Sequence, residues 1–123
     1  MKIFFVIGIF LVTTNFCYSQ TDGEWVTVTI FHGTSNENTD DFPIRSNKWR
    51  VVWEATYQND EYKAGNFIVN VVNEKGNEDL IVNAMPIDNG KTIMRKTGVF
   101  SFAVKSFNCK WKIEVQEYRA IKK

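Results

Sequence analysis

A single histidine, His32, limits the acid–base and ligand chemistry open to this chain of 123 residues. Histidine-assisted nucleophilic catalysis needs a Ser or Cys partner and an orienting acid. Ser35, Asp40 and Asp41 are near His32 in sequence, but no nucleophile-elbow spacing surrounds them. Zinc calls for several nitrogen or sulfur ligands, and past the N-terminal segment only His32 and Cys109 are on offer. The densest run of oxygen donors is Asn36-Glu37-Asn38-Thr39-Asp40-Asp41. Its alternate Asn36, Asn38 and Asp40 resemble a calcium loop. The EF-hand pattern nevertheless lacks its glycine, and Asn47 stands where the closing Glu belongs. The run reads as a solvated loop. Asp60-Glu61 and Glu78-Asp79 could supply a carboxylate pair for glycoside cleavage, but both fall in turn-like segments with no aromatic cleft implied. No catalytic, metal-binding or cofactor-binding residue is expected, and no cofactor.

Recognition is then the chemistry left to consider. Trp25, Phe31, Tyr62 and Tyr118 fall on outward faces or loops, where rings stack on sugars or bury against a partner. Trp25 and Phe31 also lie opposite Val26, Val28 and Ile30, so both faces of that strand are open to burial.

The compartment is read from the first residues. Met1-Lys2 is a basic start, Ile3 to Val12 is wholly apolar, and Cys17-Tyr18-Ser19 precedes Gln20. That order is a secretory signal over residues 1–19, with cleavage after Ser19. The apolar run is about half of the ~20 residues a permanent span needs, so no stable membrane insertion is expected once the signal is removed. A lipid anchor on Cys17 is the alternative, though Phe16 and Thr14 occupy places where a lipobox wants a small and an aliphatic residue. Export is to the periplasm or the outside. Signal removal takes Cys17 away, leaving Cys109 unable to form an intramolecular disulfide. Nothing beside Cys109 in sequence would lower its pKa, so it reads as a buried, inert thiol.

Residues 20–123 suit one domain. Without Lys2 the 14 acidic residues are matched by as many basic ones, which argues against a nucleic-acid partner. The charge is unevenly placed. Gln20–Asp41 carries five acids and no Lys or Arg, while Lys91–Lys123 carries nine bases and two acids. Such asymmetry marks a binding face, or two segments that lie side by side and neutralise each other.

Period-two alternation runs almost throughout. Val26, Val28 and Ile30 form one face of a first strand. Trp49, Val51, Trp53, Ala55 and Tyr57 form the apolar face of a long one. Phe67, Val69 and Val71, with Ile68 and Val72 on the other side, read as an interior strand. Leu80–Val82 begins another, Thr92–Arg95 is short, and Phe100, Phe102 and Val104 alternate with small or charged residues. Trp111, Ile113 and Val115 face inward in the last strand, against Lys110, Lys112, Glu114 and Gln116. Turns are expected at Glu74–Asn77, Asp88–Lys91 and Asn108. Gly65 and Gly98 each open an aromatic strand. The expected fold is an all-β antiparallel sandwich of about seven to eight strands, its core built on Trp49, Trp53, Phe67, Phe100, Phe102 and Trp111.

The blocks Phe42-Pro43-Ile44, Trp49–Trp53, Gly65–Val69, Gly98–Val104 and Trp111–Val115 together resemble small secreted bacterial domains of CUB-like or jelly-roll type. The resemblance implies a fold and brings no activity and no catalytic residue. The paired disulfides of true CUB domains are absent. The function expected is that of a non-catalytic exported binding or interaction domain with a protein or glycan ligand. A carbohydrate-binding module using coplanar exposed aromatics is the first alternative, and a small hydrolase or metal-dependent enzyme the second.

Overall fold

The computed structural model describes residues 23–121. The expected signal segment over residues 1–19, its expected cleavage site, Cys17 and Gln20 lie outside the described residues. Within them the chain is all β and contains no helix, so none is long and apolar enough to cross a membrane. Nine strands form: β1 (Gly23–Gly33), β2 (Glu37–Asn38), β3 (Phe42–Ile44), β4 (Trp49–Tyr57), β5 (Asn66–Val72), β6 (Glu78–Ala84), β7 (Asp88–Met94), β8 (Gly98–Phe107) and β9 (Cys109–Ala120). They make two antiparallel sheets, sheet 1 in the order β1-β9-β4-β7 and sheet 2 in the order β2-β8-β5-β6. The short β3 also pairs with β8, continuing the edge that β2 begins.

Alternation dictates the packing. In β9, Trp111, Ile113 and Val115 are buried while Lys110 and Lys112 are exposed. In β5, Phe67, Val69 and Val71 are buried, and the strand is interior to its sheet, between β8 and β6. The two inner faces meet in one core with two aromatic nests. Phe42 sits among Phe31, Trp49, Phe100 and Phe102, at centroid distances of 5.0 to 6.4 Å. Phe67 stacks on Trp111 at 6.0 Å and meets Trp53 at 5.9 Å. Each fully buried indole satisfies its N–H: Trp49 donates to the Lys96 carbonyl at 2.7 Å and Trp111 to the Ser35 carbonyl at 3.2 Å. Of the six expected core rings, only Trp53 remains half-buried, packed against the rim of the cluster.

Four expectations are corrected. Asp88-Asn89-Gly90-Lys91 is the start of β7 rather than a turn, pairing with Val52–Ala55 of β4. Its glycine makes room for an indole, since a Cβ at Gly90 would come within 2.7 Å of the Trp53 ring. Asn36–Asp41 is a largely exposed run that holds a two-residue edge strand, Glu37–Asn38, and is not loop throughout. Asn36 accepts from the Ser106 amide, Glu37 and Asn38 pair with Val104 and Ala103, and the buried Thr39 hydroxyl accepts from the Phe102 amide. This strand raises the count above the expected seven to eight. Glu78-Asp79 likewise belongs to β6 and not to a turn.

The fourth correction concerns β1. Its ladder with β9 pairs Thr27 with Gln116 and then Thr29 with Val115, so Val28 is an extra residue, a β-bulge. The facing switches there. Thr29 and Phe31 lie opposite inward Val115 and Ile113, whereas Ile30 lies opposite outward Glu114 and is 46 % exposed.

Candidate functional site

The bulge separates the aromatic candidates. Beyond it Phe31 turns into the core, 6.1 Å edge-to-face from Phe102. Before it Trp25 lies directly opposite Tyr118, and both rings project from the outer surface of sheet 1. They pack edge to face, centroids 5.1 Å apart and planes 65° apart. Tyr62 is elsewhere, 71 % exposed in the connection between β4 and β5. Thus two of the four candidate contact residues come together, one is interior and one stands apart.

Two cations complete the corner. Arg50, outward on β4, holds its guanidinium 4.0 Å from the Trp25 ring centre. Lys48 places its ammonium 4.6 Å from the Tyr118 ring and 5.8 Å from Trp25. A cation over an indole face is worth roughly 0.5–1 kcal/mol at an exposed site. Arg50 is fixed by donating from Nε to the side-chain Oε1 of Gln116 at 2.6 Å. Gln116 donates in turn to Glu114 at 2.7 Å, and Glu114 also accepts from the Thr27 hydroxyl at 2.5 Å. The Thr27 and Gln116 bonds hold Glu114 below the usual carboxylate range against a small opposing effect of burial, and the charges of Lys112 and Arg50 act in the same direction as the bonds. With cations on the ring faces and the planes inclined, the pair offers no flat platform for stacking.

Lys48 is placed by the connection from β3 to β4, and that connection is tied down by Glu117. Glu117 is the last inward residue of β9 and only 2 % exposed. It accepts from the Arg45 amide at 2.6 Å and the Ser46 amide at 3.3 Å, and pairs with the Arg119 guanidinium at 2.6 Å. Burial pushes its pKa up, but the Arg45 amide, Arg119 and the Ser46 amide outweigh that, leaving it below its ordinary value. Ser46 donates to the Tyr118 carbonyl at 2.8 Å, and the Tyr118 amide donates to the Lys48 carbonyl at 2.9 Å.

His32 is on the outer face opposite Lys112, at a shallow depression it shares with Thr34, Glu54, Thr56 and Lys110. Among the described residues no three His, Cys, Asp or Glu side chains gather as a metal site. Cys109 is fully buried, and burial pushes its thiol up to about 11. A further surface feature is apolar: Tyr62, Met85, Ile87 and Phe107, each more than 60 % exposed, lie on or beside three connections at one end of the molecule. Gly65 there touches the Phe107 and Asn108 carbonyls and the Pro86 ring. Asn108 binds the same region by accepting from the Asn59 amide and donating to the Asn59 and Ala64 carbonyls.

Sequence reasoning missed Lys48, Arg50 and Gln116. Alternation along β4 marks Arg50 as outward. Its meeting with Trp25 depends on β9 lying between β1 and β4, which no local pattern encodes.

No family model matches the chain, and no curated protein matches it. Among solved structures, the crystal structure of SPBc2 prophage-derived protein YomS aligns over 83 % of this chain and 98 % of that one, with a TM-score of 0.48 and 10 % identity.

Proposed function

We propose that this chain is a non-catalytic, exported interaction domain that meets its ligand with the outer face of sheet 1. The observation that supports the reading is the Trp25–Tyr118–Lys48–Arg50 corner. Two large rings and two cations meet there on the water side of the sheet, outside the core, with Arg50 fixed by its bond to Gln116. Prearranged aromatic and Arg side chains on a surface are the kind of group that dominates binding energy where a partner covers them. Export rests on the order of residues 1–19. An intact mass beginning at Gln20 supports it, and a diacylated Cys17 would replace it with a lipid-anchored form. The finer likeness to CUB-like or jelly-roll domains belongs to this proposal, supported by the two antiparallel sheets around one aromatic core.

Arrays of glycans and peptides probed with the exported chain test the site. The double variant Trp25→Ala, Arg50→Ala should lose a ligand that the wild type retains, with melting within a few degrees of wild type. A ligand held equally by both proteins would move the site away from this corner.

A further inference from the structure

The outer face of sheet 1 carries more than the aromatic corner. Lys48, Arg50, Lys91, Lys110 and Lys112 all lie on it, against two carboxylates, Glu54 and Glu114. The register places them in rows: Arg50 beside Gln116, Lys91 beside Val52 with Glu114 beyond it, Lys112 beside Glu54, and Lys110 beside Thr56. Among the described residues none of the five cations is in an ion pair; the one ion pair joins Arg119 to Glu117. From Tyr118 to Lys110 the strip runs about 27 Å, at about 3.4 Å per residue, and the four strands of the sheet span about 14 Å. A concentration of unpaired cations on one face of a chain with balanced charge is electrostatically complementary to an extended anion.

Neutral hydrogen-bonding groups stand between the charges. Thr27, Gln116, Asn89 and Thr56 occupy the same face, with Ile30, Val52 and Ile93 between them. An extended ligand rich in hydroxyls and bearing periodic carboxylates matches that mixture. A single-stranded nucleic acid needs open ring faces for its bases, and here Lys48 and Arg50 lie over the rings. A bilayer surface calls for large apolar side chains at the contact, and those that protrude furthest are at the loop end, around Ile87 and Tyr62. We infer that this face binds a linear acidic polysaccharide, its carboxylates on the Lys91, Lys110, Lys112 and Arg50 cations and the Trp25–Tyr118 corner closing one end of the strip. The inference rests on the proposed role of this face and names its ligand class.

The exported chain is titrated against polygalacturonate, with a neutral glucan, an oligothymidylate and phosphatidylglycerol vesicles as comparisons. Saturable binding to polygalacturonate alone is expected. It should weaken at least roughly tenfold in Lys91→Gln, Lys110→Gln, Lys112→Gln, whose exposed side chains are dispensable for folding, and at about 1 M salt, where screening acts within about 3 Å. Unchanged melting of the triple variant confirms that charge and not folding was lost. Binding unaffected by the triple variant, or equal binding to the oligothymidylate or the vesicles, overturns the inference. No binding to polygalacturonate, alongside an array ligand that needs Trp25 and Arg50, overturns the acidic-glycan class and leaves the face as the site. No ligand sensitive to either variant defeats both readings.

Discussion

Glu117 shows how much one carboxylate can organise. It is charged, almost wholly buried, and bonded to two amides roughly seventy residues away in the chain. Its folded-state pKa lies below the ordinary 4.5. The stability it contributes is therefore fully present above about 4.5 and is lost as the pH falls through the folded value. Glu117→Gln should cost about 1–3 kcal/mol at neutral pH, because two amide donors and Arg119 lose a charged acceptor. Urea unfolding at a series of pH values checks this: the gap between wild type and variant should close on acidification. A gap that persisted below the wild-type transition would assign the cost to shape alone. Cys109 has the opposite sign. Burial raises its pKa from 9.0 to about 11, so the folded state resists ionisation, and its contribution is intact below 9.0 and falls as the pH rises toward 11. At pH 8 a thiol reagent should label Cys109 slowly in the native protein and at once in denaturant, as read by peptide mass. The burial of Cys109 was legible from its apolar strand. The role of Glu117 was not, since nothing in Val115-Gln116-Glu117-Tyr118 names Arg45 or Ser46.

Elements were legible wherever alternation ran unbroken. The facings of β4, β5, β8 and β9 follow from period two, and the turn at Glu74–Asn77 from its residues. That turn closes with Gly76 donating to the Asn73 carbonyl at 2.9 Å, Gly76 itself adopting a φ of 85°. Where alternation misled, one residue was responsible each time. Val28 shifts the phase of β1, and Val26-Thr27-Val28-Thr29-Ile30 carries no mark of an extra residue because every member suits a strand. Gly90 imitates a turn because Asn-Gly usually is one, while here the glycine clears space under Trp53. The bulge reverses the outcome that plain alternation gives for two neighbours. Phe31→Ala should destabilise the domain by about 3 kcal/mol, and Ile30→Thr should fall within about 0.5 kcal/mol of wild type. Chemical denaturation of both variants decides; the opposite ranking would place the phase shift elsewhere in β1.

Over the whole molecule, all-β class, single core and most strand positions could be read from the sequence, because burying apolar rings is a local pattern repeated many times. Strand order could not, and the candidate site depends on it: Trp25, Arg50 and Tyr118 meet through β1-β9-β4 adjacency. That adjacency does not by itself neutralise the charge asymmetry, since β1 brings only Glu24 beside β9 and Glu37 pairs with β8 instead. Only β5 and β6 form a hairpin within one sheet; β8 passes to β9 in the other sheet through Asn108, whose φ is 49°. Pairing so dominated by distant segments should fold in milliseconds to seconds, a range that stopped-flow tryptophan fluorescence can test; submillisecond refolding would contradict it. The β1–β9 ladder has a mechanical side as well. Gly23 pairs with Ala120 and Glu24 with Arg119, so the outer ends of an edge strand and its neighbour leave the sheet at the same place. A tension applied through those two ends would load the ladder one rung at a time, peeling β1 away like a zipper instead of shearing all its bonds together. Under load, Trp25 would part from Tyr118 among the first contacts to go, so a tethered copy of this domain would release whatever its aromatic corner holds before its core yields.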